Sequence, residues 1–168
     1  MKRTLLLILV FIAAVLAASC SSEGGAEEGC DYFTRPFSLT ADFERQGLSG
    51  SFAFEYYPPE GGQLRFVSPD SLCGLKITRE GETVREEFLG VSTEAEFEAL
   101  ERGHPLAALL RVFSALRSGS VEPKQTGEGQ LYELADGSSL LAVSGVPRRI
   151  EVPSGEFTAT VTSFEYLD

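Results

Sequence analysis

Residues 33–89 alternate between apolar and polar side chains, and turn-forming residues interrupt this two-residue period at regular intervals. A period of two places the apolar side chains of a strand on one face, which is typical of half-buried β-strands. In the segment 37–43, for example, Phe37, Leu39, Ala41 and Phe43 share a face. Turn signals recur about every 8–14 residues. This pattern predicts consecutive antiparallel hairpins.

The period becomes helical between residues 92 and 119. Thr93 and Glu96 fit a capping box, which predicts a short first helix. Pro105 suits the first turn of a second helix, and Gly119 is expected to end this helix. The helix has one apolar stripe. That stripe consists of Leu106, Leu109, Leu110, Phe113 and Leu116. Strands return after residue 130, so the sequence predicts an α+β fold that is mainly β, with about nine strands and one or two helices inserted midway.

The composition and charge of the chain limit which ligands and partners can be expected. The chain has 168 residues, 43% hydrophobic and 23% charged, which suits one globular domain with a tail. Its 25 acidic residues outnumber 14 Lys and Arg, for a net charge of −11. Nucleic acid is therefore not expected as a partner, because phosphate binding needs a basic surface. One His and three Cys are too few for a soft-metal cluster, and we expect no metal or other cofactor.

The sequence shows no set of residues arranged for catalysis. His104 precedes Pro105 at a predicted helix start, where a capping or loop role is expected. Glu86 and Glu87 are neighbours on a predicted strand and therefore point to opposite faces, so they cannot act as an acid–base pair. The glycine-rich segments lack the lysine and the strand-to-helix context of a phosphate loop. We therefore expect a protein that is not an enzyme, with a hydrolase as the weakest hypothesis.

The first twenty residues have the organisation of an export signal. Lys2-Arg3 is basic, and the apolar run 4–18 has about 15 residues, which is short for a bilayer span of roughly 20. The segment Leu16-Ala17-Ala18-Ser19-Cys20 resembles the bacterial lipoprotein cleavage box, although Ala17 stands where Leu is commonest. The resemblance implies that Cys20 carries diacylglycerol and that its new N-terminus is acylated, for example with palmitate. An ordinary cleaved signal with an incidental cysteine, and a retained membrane anchor, are the alternatives.

Three segments are therefore expected: a signal peptide at 1–19, a lipidated Cys20 with a flexible tether at 20–32, and a folded domain at 33–168. Residues 21–29 contain only Ser, Gly, Glu and one Ala, so they cannot bury a core. Acyl chains on Cys20 would attach the chain to a membrane. The expected location is the cell membrane or outer membrane, with the domain outside the cytoplasm.

Two cysteines remain once Cys20 is lipidated. An even number in an exported protein favours a disulfide, here between Cys30 and Cys73. Such a bond would attach the start of the domain to a strand-like segment. Two buried thiols are the alternative, since unpaired cysteine is among the most buried residue types.

Several short segments resemble the LolA/LolB-like lipoprotein-carrier superfamily. They are the strand with Phe37, Leu39 and Phe43, the motif Gly50-x-Phe52-x-Phe54, Leu64-Arg65-Phe66 ending at Pro69, Pro147-Arg148-Arg149-Ile150, and the last strand ending in Phe164-Glu165-Tyr166. The resemblance implies a strongly curved antiparallel sheet, an unclosed half-barrel whose concave face is plugged by helices. In that superfamily the cavity holds acyl chains or faces a protein partner. This chain is smaller and has one substantial helix.

The candidate ligand site is a set of apolar side chains expected to face one another between sheet and helix. They are Leu39, Phe43, Phe52, Phe54, Tyr56, Leu64, Phe66, Leu109, Leu110 and Phe113. They either line a cavity for a lipid or lipid-linked molecule, or form an ordinary core. The first hypothesis is accordingly a membrane-anchored lipoprotein that binds an apolar ligand. The alternative is a non-catalytic lipoprotein that docks an envelope enzyme or sensor through an apolar patch or open sheet edge.

Overall fold

The computed structural model describes residues 32–59, 61–101 and 103–168, and within these it contains one antiparallel sheet and one α-helix. The predicted signal peptide and nearly all of the tether lie outside the described residues. The elements are β1 (Phe37–Arg45), β2 (Leu48–Tyr57), β3 (Gly61–Ser68), β4 (Lys76–Glu80), β5 (Thr83–Phe88), β6 (Val91–Glu96), α1 (Pro105–Arg117), β7 (Lys124–Gln125), β8 (Gln130–Glu133), β9 (Ser139–Val143), β10 (Val146–Val152) and β11 (Phe157–Tyr166).

The sheet consists of two meanders that meet at its centre. The strand order is β6-β5-β4-β3-β2-β1-β11-β10-β9-β8-β7. β1 pairs with β11 in a register that runs from Phe37 opposite Tyr166 to Arg45 opposite Phe157. β6 and β7 are the two edges, so the sheet is unclosed. The predicted mainly β, α+β class with an unclosed antiparallel sheet is confirmed.

All nine predicted strands are present, and two more strands complete the sheet. β7 is a two-residue strand between α1 and residue 130, where the sequence analysis predicts no strand. β6 occupies the segment where a capping box predicted the first helix, and that prediction is wrong. Thr93 lies in β6, paired with Glu86 of β5, and only the three residues Phe97–Ala99 after it form a turn of 3-10 helix.

The hairpin between β5 and β6 explains this correction. Leu89 and Gly90 have φ of 50° and 81°, which are the dihedrals of a type I′ turn. This turn matches the twist of the two strands that it joins, so it directs the chain back along β5. All six residues of β6 are exposed, and the strand is held by its pairing with β5. Strand pairing therefore prevails over the local capping pattern.

Helix α1 agrees with its predicted bounds. Pro105 is its first residue, and Gly119 follows its C-cap with a φ of 68°, a conformation that glycine adopts without strain. Eight of its 13 residues are buried, all of them apolar. Within the described part of the chain, no helix combines the length and the apolar character needed to cross a bilayer.

One hydrophobic core lies between α1 and one face of the sheet, which we call the inner face. In β1 the burial alternates strictly, with Phe37, Leu39, Ala41 and Phe43 buried toward the core. β2 and β3 continue this pattern, and strands β8 to β11 supply further buried residues from the other meander. The single helix therefore covers the middle of the inner face.

Candidate ligand-binding site

The structure brings all ten predicted site residues together. Leu39 and Phe43 lie on β1, three more on β2, two on β3 and three on α1, and every one of these side chains is at most 5% exposed. All ten belong to a single hydrophobic cluster. The ten side chains therefore lie together between sheet and helix, and their role as the lining of a ligand cavity stays a prediction.

These side chains fill the space between the helix and the inner face. The Phe113 ring of α1 stacks on Phe54 at 5.8 Å and lies 5.0 Å from Phe37 and 5.5 Å from Tyr56. A Cβ atom at Gly62 would lie only 2.8 Å from Cδ2 of Leu110, so this glycine allows the helix to approach β3 closely. In this structure, the ten residues form a packed core.

The N-terminal end of α1 is attached to the sheet through His104. Its Nδ1 accepts a hydrogen bond from the Ala107 amide at 3.3 Å, which caps the helix. Its Nε2 lies 2.8 Å from Oε1 of Glu86 on β5 and donates to that carboxylate. The prediction of a capping role for His104 is confirmed. Next to it, the backbones of Gly103 and Gly155 are so close that a Cβ on Gly155 would lie 2.8 Å from the Gly103 Cα.

Two cavities flank α1. The first, which we call the arginine cavity, has a volume of about 490 Å³ and lies against the exposed side of the helix. The second, about 760 Å³, lies beside the C-terminal half of α1 and is partly apolar, with Val121, Leu134 and Ala135 in its wall. Arg111 and Ala115 line both cavities. Leu110, one of the ten predicted site residues, also lines the arginine cavity.

Charge in the arginine cavity is unevenly distributed. Among the residues that the structure describes, Arg79, Arg111, Arg117 and Glu98 are the charged ones in its wall. The guanidinium carbon of Arg79 lies 3.6 Å from the centre of the Phe97 ring, and that of Arg111 lies 5.4 Å from the same centre. Both contacts are in the range of cation–π interactions.

Arg111 is only partly satisfied by the protein. Its Nη2 donates a long hydrogen bond of 3.4 Å to the carbonyl oxygen of Leu100. Its Nη1 is shielded from solvent and has no hydrogen-bond partner. Beneath this cavity, burial raises the pKa of the Tyr56 phenol, and the nearby positive charge of Arg117 partly offsets that rise.

In the sequence, Arg111 and Arg117 lie with Ser114 on the thin polar side of the predicted helix, and no role was predicted for them. Arg79 and Phe97 were not connected with them, because the contact depends on how β4 and the 3-10 turn lie against the helix. The spacing of Arg111 and Arg117 on a mostly apolar helix was the one signal available.

The predicted cysteine sites are only partly covered by the structure. Cys20 and Cys30 lie outside the described residues, so lipidation and the disulfide stay predictions. Cys73 is exposed and lies in the turn between β3 and β4, rather than within a strand. In residues 32–59, 61–101 and 103–168, no three His, Cys, Asp or Glu side chains are grouped so that they could hold a metal ion.

Comparison with known proteins finds similar solved structures, and two of them are described below. No family model and no curated protein matches the chain. An uncharacterized conserved protein from Thermus thermophilus is 13% identical, with a TM-score of 0.47 over 80% of each chain. A LolA superfamily protein from Nitrosomonas europaea is 10% identical, with a TM-score of 0.42 over 80% of this chain and 87% of that one. The second belongs to the superfamily that the sequence resembles, and membership of this chain stays a prediction.

Proposed function

We propose that this protein is a non-catalytic, exported lipoprotein that binds an apolar ligand, a lipid or lipid-linked molecule, between α1 and the inner face of its half-barrel. Acyl chains on Cys20 would hold it at the cell membrane or outer membrane, with the domain outside the cytoplasm. The observation that carries the proposal is the arrangement of α1. One nearly apolar helix covers the inner face, and open cavities run along both of its flanks.

In this proposal α1 acts as a movable cover, because the packed core leaves no room for a ligand beneath it. Side-chain packing attaches the helix to the inner face, and glycines at positions 103 and 119 stand close to its two ends. Displacing the helix would expose apolar surface, which an acyl chain could cover again. Burial contributes about 0.8 kcal/mol per CH₂, so a chain of about 14 carbons would offset on the order of 10 kcal/mol.

The two flanking cavities support this proposal by their size and lining. Their volumes of about 490 and 760 Å³ lie in the range of small-molecule sites. Ala115, Val121 and Leu134 give the larger cavity an apolar wall next to the helix. An acyl chain could first contact this wall and then replace α1 on the inner face.

Mass spectrometry of the full chain purified from bacterial membranes in a mild detergent tests the proposal. Under denaturing conditions, the mass gives the covalent acyl groups, which should be absent in Cys20→Ser. Under native conditions, an additional non-covalent lipid is expected. Ala115→Trp should fill both cavities and reduce that lipid several-fold, whereas Glu128→Trp, in an exposed loop, should not. A native mass that contains no lipid beyond the covalent groups would contradict ligand binding.

A second function, docking of an envelope protein, is favoured by the free edge of the sheet. β6 is an edge strand, and the adjoining Leu89 and Val91 are 86% and 67% exposed. In a two-residue hairpin the pair that flanks the loop shares its hydrogen bonds, so the N–H groups of Ser92, Glu94 and Glu96 point away from β5. We propose as occupant an extended segment with basic residues, because two of these three side chains are acidic.

Photo-crosslinking in the producing bacterium tests this second function. A photoreactive residue at Leu89 should give one defined protein adduct. Ser92→Pro removes an outward N–H and should abolish the adduct, while Ser49→Ala on β2 should leave it unchanged. An adduct that is insensitive to Ser92→Pro would show that β6 does not pair with the partner.

A further inference from the structure

We propose that the arginine cavity is a phosphate-binding subsite that holds the phosphodiester of an anionic phospholipid. The inference deepens the proposed function and rests on it, since it names the headgroup of the ligand whose acyl chain would occupy the inner face.

The charge balance of the cavity is opposite to that of the chain. Of the described residues that line it, three are arginines and one is a glutamate, although acidic residues outnumber basic ones by 25 to 14 in the whole sequence. Arginine suits phosphate particularly well, because its planar guanidinium offers parallel N–H donors to two oxygens. A cluster of this kind in an acidic protein indicates a local site for an anion.

The contacts around Phe97 point in the same direction. Arg79 and Arg111 both lie against one ring, with guanidinium carbons 3.6 and 5.4 Å from its centre. The Phe97 ring therefore holds two positive charges at the wall of the same cavity. An oxyanion in the cavity would be attracted by both charges.

Arg111 supplies a donor that the protein leaves without an acceptor. Its Nη1 is shielded from solvent and has no hydrogen-bond partner. A buried donor without an acceptor is unfavourable. A small shift of the side chain toward a bound phosphate would satisfy it.

The position of the cavity connects headgroup and chain. Leu110 and Arg111 are neighbours on α1, and Leu110 belongs both to the wall of the cavity and to the core beneath the helix. A phosphate bound at Arg111 would therefore place an attached acyl chain at the flank of α1. Arg111 also lines the larger cavity, whose apolar wall is where the proposed function has the chain make its first contact.

Titration with short-chain soluble lipids tests the subsite. Dihexanoyl phosphatidylglycerol, dihexanoyl phosphatidylcholine and inorganic phosphate are each added to the full chain, and binding is measured by calorimetry. Both lipids carry a phosphodiester, but the arginines of the cavity would repel the choline cation, so the phosphatidylglycerol should bind at least tenfold more tightly than the phosphatidylcholine. Arg111→Gln and Arg117→Gln should each weaken its binding about tenfold. Arg148→Gln removes the same charge from an exposed position on β10 and should have no effect.

The outcomes separate the subsite from the proposed function. Equal binding of both lipids, unaffected by the arginine variants, would retain the lipid ligand and overturn the subsite. No binding of either lipid would overturn both. Arginine-dependent binding of inorganic phosphate without lipid binding would overturn the lipid headgroup and assign the cavity to a small phosphate. Arg117 is exposed, so Arg117→Gln keeps the test valid even where Arg111→Gln fails to fold.

Discussion

Replacing Phe113 by alanine tests how strongly α1 is attached to the inner face. The side chain is fully buried, and its ring contacts Phe37, Phe54 and Tyr56 with centroid distances between 5.0 and 5.8 Å. Truncation removes these contacts and leaves a cavity that a helix held against a sheet cannot collapse completely. Phe→Ala substitutions at such sites lower the free energy of unfolding by about 3–5 kcal/mol. A loss of this size is a large part of the roughly 5–15 kcal/mol that stabilises a typical domain.

Urea unfolding, followed by circular dichroism and by tyrosine fluorescence, measures this loss. With a slope of about 2 kcal/mol per molar urea, the midpoint should fall by roughly 2 M. Ser114→Ala is the matched control, because Ser114 is the next residue of α1 and is exposed. That substitution should change the free energy of unfolding by no more than about 0.5 kcal/mol.

A loss below about 1 kcal/mol for Phe113→Ala would refute this reasoning. It would mean that α1 contributes little to the stability of the inner face. The described packing would then be one of several arrangements of similar free energy.

Three further predictions concern the ends of α1 and the pH dependence of stability. Gly155→Ala should lower the free energy of unfolding by about 1–3 kcal/mol, because its Cβ would meet the Gly103 backbone at 2.8 Å, whereas Gly127→Ala, with open space around it, should be neutral in the same urea experiment. His104→Ala should cost about 1 kcal/mol through loss of the helix cap, and His104→Asn should restore most of it, as thermal unfolding would show. Burial raises the pKa of Tyr56 above its usual value near 10, so above pH 10 the folded state retains a proton that the unfolded state loses. The free energy of unfolding should therefore be unaffected by this group below pH 10 and should fall above it. Tyr56→Phe should reduce this fall when unfolding is measured between pH 8 and 11.5.

The strands could be predicted because each depends on its own alternation and turns. In β1, for example, the residues at positions 37, 39, 41 and 43 are apolar, and the structure buries all four. The helix α1 was equally readable, since Pro105, its apolar stripe and Gly119 are local signals. Such features need no knowledge of the rest of the fold.

β6 could not be predicted in the same way. The turn that creates it places Leu89 at a positive φ, which leucine rarely adopts, so the usual Asn-Gly or Asp-Gly signal was missing. Thr93 and Glu96 meanwhile offered a plausible cap for a helix that had nothing to pack against. The pairing with β5 decided the outcome.

The arginine cavity depends on contacts between distant segments. Arg79 comes from β4, Phe97 from a 3-10 turn, and Arg111 from α1, and nothing in their sequence spacing connects them. Whether the inner face is filled or hollow was also beyond the sequence, because the same apolar residues serve both cases. Volume is a property of the assembled fold alone.

The pairing of β1 with β11 has a consequence for how the chain acquires its structure. Ser38 and Glu165, which are hydrogen-bonded across this pair, are separated by 127 residues. Each meander can form from neighbouring segments, but the seam between them closes only when residues 157–166 are available. Contacts of such high sequence separation slow folding, so in a growing chain one edge of β1 stays unpaired until residues 157–166 have been made.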